Sequence, residues 1–204
     1  MKDRDFEIIS AAQDTGGEEV AGEWFDKAEA TFTQIVDTNH TISSLYNMVN
    51  VPTGVWIDEE GIIVRPNETA YSRNIKLTMG GKVLQSSGAD YVAALKDWVA
   101  KGAESEFALS REEVTKRLTP RAPETAKAEA AFQLGVYFHE AGNEELANRY
   151  WEQAEAGNPD SWNYHRQDWS FTPGEAGANW MKKFQSFEKE YYPALDLPNL
   201  SGSE

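Results

Sequence analysis

The sequence predicts an α/β fold over its first half, an incomplete sheet with flanking helices, followed by an all-α C-terminal region. Short β-branched runs alternate with amphipathic helical spacing as far as about residue 101, and from about residue 105 the pattern is helical only. The 204 residues include 40% hydrophobic types, with 7 Trp, 8 Tyr and 9 Phe. That is enough apolar material for a core in a chain of this size, which buries roughly 70% of its unfolded surface. The expected division is 1–104 for the α/β domain and 105–204 for the helical region.

The elements follow in order. Phe6 to Ala12 is a short apolar run ending in Gln13-Asp14-Thr15-Gly16-Gly17, as a buried parallel strand leaving for a helix would be. A helix over about 17–30 follows, with Val20, Trp24 and Ala28 recurring every four residues as one buried stripe. Residues 33–37 read as a short extended piece and 41–48 as a helical turn. Two β-branched runs, Val51 to Ile57 and Gly61 to Arg65, flank the polar turn Asp58-Glu59-Glu60-Gly61, which predicts a hairpin. Residues 66–89, with Gly80-Gly81, suit either a hairpin or a loop. Tyr91, Ala94, Leu95, Trp98 and Val99 then take the spacing of a helix covering a sheet.

Ser110 and Glu113 stand in capping-box spacing ahead of Val114, and Pro120 and Pro123 mark a linker. Two helices over about 124–141 and 143–156 are separated by Gly142-Asn143, a C-cap and turn signature. The last helix, about 174–191, carries Trp180, Phe184, Phe187 and Tyr191 as one aromatic stripe, which suits core packing.

Composition excludes several functions. With 19 Lys plus Arg against 34 Asp plus Glu, the net charge is −15. Nucleic acid and anionic membranes are repelled by such a field, and the basic residues are dispersed, Lys182-Lys183 being the nearest approach to a cluster. The chain has no Cys. Thiolate nucleophiles, disulfides and C-x-x-C redox chemistry are therefore excluded for these residues. No stretch approaches the roughly 18 apolar residues of a membrane span, and Met1 to Asp5 lacks the apolar run of a signal peptide. The expected compartment is the cytoplasm, or the periplasm with or without a membrane anchor if the protein continues upstream.

His40, His139 and His165 lack a His or carboxylate at the i+4 spacing of a helical metal site, and no glycine-rich phosphate loop is present. Acidic pairs such as Asp58-Glu59 and Glu144-Glu145 lie in turns and at helix starts, where solvation and the helix dipole explain them. No catalytic residue, metal site or cofactor is assigned. Asn39-His40-Thr41, Asn67-Glu68-Thr69 and Asn199-Leu200-Ser201 match the glycosylation pattern, which carries no meaning in an intracellular protein. The segment Ser161 to Trp169 combines Trp162, Tyr164, Arg166 and Trp169, residue types enriched where proteins bind one another. Exposed, it would hold a peptide by stacking and charge-assisted bonds. Otherwise its tryptophans plug the seam between the two halves.

The order strand, helix, short strand, Leu45-Tyr46-x-x-Val49-x-Val51-Pro52-Thr53, hairpin and closing helix, over about 5–101, resembles the later two-thirds of a thioredoxin-like domain of the TlpA and ResA redoxin type. In that family the matching Val-Pro-Thr holds a cis-proline, and the residue before it pairs with substrate peptide through its backbone. The resemblance thus implies peptide binding at Val51, Pro52 and Thr53. Members of the family also carry an earlier strand and a cysteine at a helix N-terminus, both missing here. That strand sits centrally, so its loss would leave unpaired backbone on two strands. It is expected upstream, since Met1 to Asp5 reads like the tail of the preceding helix. Alternatively Ile75-Lys76-Leu77 or Lys82-Val83-Leu84 fills the slot, or a homodimer completes the sheet. A second resemblance, at about 128–161, is to one tetratricopeptide-like helical hairpin, carried by Leu134-Gly135, Phe138, Ala147, Trp151, Ala154 and Pro159.

Two function classes follow. One is a cysteine-free thioredoxin-like protein that binds a protein or peptide without catalysis, and this expects a closed sheet from residues 1–204. The other is part of a thiol-disulfide oxidoreductase or peroxidase of cell redox homeostasis whose cysteines lie upstream, and this expects an open sheet or an exchanged dimer.

Overall fold

The computed structural model describes residues 4–118 and 120–197. The fold is mixed α/β: β1 (Ile9–Ala12), α1 (Glu18–Ala28), β2 (Thr33–Val36), α2 (Thr41–Leu45), β3 (Thr53–Ile57), β4 (Ile63–Thr69), β5 (Asn74–Met79), β6 (Lys82–Ser87), α3 (Gly88–Lys101), α4 (Arg111–Arg117), α5 (Pro123–Glu140), α6 (Glu144–Gly157), α7 (Asn163–Asp168) and α8 (Pro173–Ser186). Most of the expected elements form within a few residues of their predicted bounds. Arg4 and Asp5 are in bends, and the rest of the helical tail expected over Met1 to Asp5 lies outside the described residues, as does the Asn199-Leu200-Ser201 sequon.

The described strands form three sheets of two strands each. β1 and β2 are parallel, β3 and β4 antiparallel with a register shift around Trp56, and β5 and β6 antiparallel. Ile75–Leu77 or Lys82–Leu84 was one of the alternatives for filling a slot in a larger sheet. They pair with each other instead, Leu77 opposite Leu84, because Gly80 and Gly81 both take positive φ and close a tight hairpin between them.

The chain divides into two compact units that are each discontinuous in sequence, which differs from the expected boundary at 104. Among the described residues, one comprises 4–6, 52–118, 120 and 177–197, the other 7–51 and 121–176. The helices after residue 120 meet the chain around residues 15 and 39–51, through Gln167 on Thr15, Phe132 on His40, Gln133 on Asn39 and Asn163 on Met48, a long-range choice that periodicity does not encode.

In the first unit the core gathers Trp56, Tyr91, Ala94, Phe107 and Leu197. Trp56 stacks on Trp98 at 5.1 Å and donates its indole N–H to the Tyr91 hydroxyl at 3.0 Å. Arg65 is completely buried, and its charge is met on every side. It pairs with Glu68 through Nε at 2.7 Å and Nη2 at 2.9 Å, and donates to the carbonyls of Phe107 and Asp196. The end of the chain is thereby tied to β4. The aromatic stripe of α8 is helical only as far as Ser186; Tyr191 returns beyond the helix to meet Trp180 and Phe184 edge-on, each at 5.6 Å.

In the second unit α5 and α6 pack as a hairpin whose core is Ala128, Ala131, Phe132, Val136, Ala147, Trp151, Ala154 and Tyr164. Alanine and glycine at the contact let the helices approach closely, with Trp151 lying over Gly135. Asn143 caps α6 by accepting from the Leu146 N–H.

The β1–α1–β2 segment departs from expectation. Val20 and Trp24 are 48% and 62% exposed and Ala28 is exposed too, so the predicted buried stripe faces out and only Ala21 is buried. Ile9 and Ile35 are also exposed, on the sheet face they share with Ala11 and Thr33. Two strands offer too little surface to bury the whole apolar side of a helix, and a parallel pair is ordinarily covered on both faces.

Candidate functional site

A cleft of about 470 Å³ opens in the second unit. Its walls come from the turn before β2's successor helix α2, from α2 itself, from one face of α5 and from the start of α7. Asp37, just after β2, shapes the first wall: its two carboxylate oxygens accept the N–H groups of Thr41 and Ile42 at 2.8 and 2.7 Å. The intervening His40 is thereby held at φ 54°, a conformation His tolerates better than most residues.

His40 is buried, its ring 4.9 Å from that of Phe132. Its Nε2 lies 3.2 Å from Gln167 Oε1, which also accepts the Thr15 N–H at 2.9 Å. An oxygen that accepts from both fixes the imidazole proton on Nε2 and leaves Nδ1 as an acceptor. Burial, the largest influence, lowers the His40 pKa below 6.5, against the opposing effects of the Gln167 bond, Asp37 and Asp14. Tyr164 stacks on Phe132 at 4.9 Å, and burial raises its hydroxyl pKa to about 12.

Carboxamides and hydroxyls dominate the remaining wall. Gln13 donates to Ser43 Oγ, which itself donates to the His40 carbonyl at 3.1 Å. Gln133 Nε2 donates to the Asn39 carbonyl, and Asn163 Nδ2 to the Met48 carbonyl at 2.7 Å. Asn163 Oδ1 is buried with no hydrogen-bond partner. Glu129 is the only charged residue of the lining, and it is paired with Arg121 and accepts from Ser44 Oγ. Ser43 and Ser44 thus bond to a carbonyl and a carboxylate, neither arrangement being a nucleophile beside a base.

The residues singled out by sequence have mixed positions. Trp162 is 2% exposed and packed inside, while Tyr164, also buried, lies in the lining of the cleft. Trp169 is half-buried and stacks on His165 at 4.4 Å. Arg166 is exposed, and it reaches Val51: its Nη2 donates to the Val51 carbonyl at 3.3 Å and to Asn50 Oδ1 at 3.1 Å. The Val51 N–H donates to the same Asn50 Oδ1 at 2.9 Å. The Pro52 carbonyl accepts from the Ala70 N–H, and Thr53 opens β3 opposite Thr69. Two candidates separated by over a hundred residues, Val51 and Arg166, are therefore hydrogen-bonded to each other.

Sequence reasoning missed the cleft. Its members lie at 13, 39–49, 126–133 and 158–164, with no motif spacing. The one available signal was the polar stretch Asn39 to Asn47, too hydrophilic for a covering helix. Among the described residues no helix is long and apolar enough to cross a membrane. No family model, curated protein or solved structure matches this chain.

Proposed function

We propose that these residues form the peptide-binding part of a thioredoxin-like protein of the redoxin type, joined to a tetratricopeptide-like helical hairpin, and that their role is to hold a protein or peptide rather than to transfer electrons. The observation that carries the binding role is the cleft, whose lining offers hydrogen bonds and almost no net charge. The thioredoxin-like part of the reading rests on the element order, with a parallel strand-helix-strand followed, after Val51-Pro52-Thr53, by a β-hairpin and a helix. Cysteine chemistry within these residues is ruled out by composition.

A second reading, in which the binding part serves a thiol-disulfide oxidoreductase or peroxidase with cysteines on a segment outside these residues, is favoured by one observation. A non-catalytic module was expected to close its sheet, whereas the parallel pair β1–β2 stands as two strands with Ile9, Ala11, Thr33 and Ile35 on an exposed face. Parallel strands in that state match an open sheet.

The deciding experiment is the intact mass of the native protein from its source cells, with a thiol titration of the same sample. A mass of 22.9 kDa without thiols supports the non-catalytic module and overturns the second reading. A larger mass with a reducible thiol pair does the reverse.

A further inference from the structure

The polar cleft of the second unit has a chemistry that narrows what it can hold. Its lining contains no Lys or Arg, and its single carboxylate, Glu129, is already paired with Arg121. The one guanidinium against the lining, Arg121, is taken up by Glu129 and by the Ser44 carbonyl and hydroxyl, so an anionic ligand would find no spare countercharge there and would meet the field of a protein with net charge −15.

One buried acceptor in the wall, Asn163 Oδ1, has nothing donating to it, and the tautomer of His40 leaves a second ring acceptor. Asn163 is 3% exposed, with Nδ2 committed to the Met48 carbonyl and Oδ1 unpartnered. His40 Nδ1 is the acceptor left when Nε2 bonds to Gln167. A buried acceptor without a donor is costly, so the cleft favours a ligand that brings N–H or O–H groups. On the rim Gln133 spends only its Nε2, on the Asn39 carbonyl, and keeps its Oε1. A sugar would satisfy such acceptors but also needs an open aromatic face to stack on. The rings here, Phe132 and Tyr164, are buried and stacked on each other. A peptide main chain needs no such face, and its N–H and C=O groups match a carboxamide one for one.

We propose that this cleft binds an extended, uncharged peptide segment of a partner protein through its main chain, with peptide N–H groups donating to His40 Nδ1 and Asn163 Oδ1 and the Gln133 carboxamide pairing at the rim. The inference rests on the peptide-binding reading above and assigns it to this cleft instead of to the Val51-Pro52-Thr53 segment. Specificity then comes from excluding charge and bulk rather than from reading side chains, and the partner offers a small-residue, non-acidic stretch.

The test is a titration of the full-length ¹⁵N-labelled chain, followed by amide and imidazole resonances. The probes are a capped neutral tetrapeptide (acetyl-Ala-Gly-Ser-Ala-amide), its fully N-methylated counterpart, and maltotriose. The expected result is shifts of the Gln133 and Asn163 side-chain amides and the His40 ring with the first probe and none with the other two. Gln133→Ala is expected to weaken binding about fivefold, the value of one hydrogen bond, and His40→Gln, which cannot present the same acceptor, at least as much. Shifts of equal size with the N-methylated peptide, or shifts with maltotriose alone, overturn main-chain recognition. Shifts confined to Val51, Thr53 and their β4 neighbours overturn the cleft assignment while leaving the peptide-binding reading standing. Silence from every probe overturns both.

Discussion

The guanidinium of Arg166 donates to the carbonyl of Val51 at 3.3 Å, and Asn50 Oδ1 accepts from both residues. Removing the side chain should unseat the chain just before β3. Arg166 is exposed, so the loss is that of hydrogen bonds with water at hand. Arg166→Ala is expected to lower unfolding free energy by about 1 kcal/mol in urea denaturation, and to speed hydrogen exchange at Val51. A loss above about 3 kcal/mol would contradict a surface hydrogen-bonding role for Arg166.

Trp24 separates an exposed α1 stripe from a buried one. At 62% exposure, with Lys27 Nζ 4.5 Å over its ring, it makes few contacts to lose. Trp24→Ser is expected to change stability by no more than about 0.5 kcal/mol and to remove the most acrylamide-quenchable part of the tryptophan emission. A buried tryptophan would instead cost about 3–5 kcal/mol on truncation, and the thermal midpoint distinguishes the two.

Gly135 and Trp151 meet without room for a methyl group. A Cβ at residue 135 would overlap the Trp151 indole, whose ring is packed among Ala147, Val136 and Phe171. Alanine raises helix propensity by about 1 kcal/mol, yet Gly135→Ala is expected to destabilise by about 1–3 kcal/mol from overpacking. Trp151→Leu in the same chain should relieve the overlap, so the double variant loses less than the two single losses added. Strict additivity in chemical denaturation would show that the contact is not coupled.

His40 makes stability depend on pH. Its folded pKa lies below 6.5, mainly because burial disfavours the charged ring. The unfolded chain, with a value near 6.5, binds the proton first as pH falls. The contribution is therefore complete above about pH 6.5 and declines as pH drops from there through the folded value. His40→Gln is expected to flatten that part of the profile, read as the difference in urea midpoint between wild type and variant at pH 7.5 and pH 5. A constant difference across that range would contradict a neutral buried His40.

Local structure was largely legible in the sequence. The Asp58–Gly61 turn, the Ser110 cap that accepts from Glu113 and the Gly142-Asn143 break between α5 and α6 each depend on side chains within a few residues, and each forms as expected. The α3 stripe buries Tyr91 and Ala94 as its spacing required. The α1 stripe obeys the same rule and yet faces out, because burial needs a partner surface that periodicity cannot supply.

By itself, then, the sequence determined most of the segments that are helix or strand, leaving β5, β6 and α7 open, and it ruled out thiol chemistry through the lack of any Cys. Those properties follow from backbone preference and composition, which act over a few residues or over none. Only the tertiary structure decided that residues 7–51 share a unit with 121–176, and that His40, Gln133 and Asn163 line one cleft. Such groupings depend on contacts across many tens of residues, where shape and unsatisfied hydrogen bonds choose among partners that the local pattern leaves equivalent.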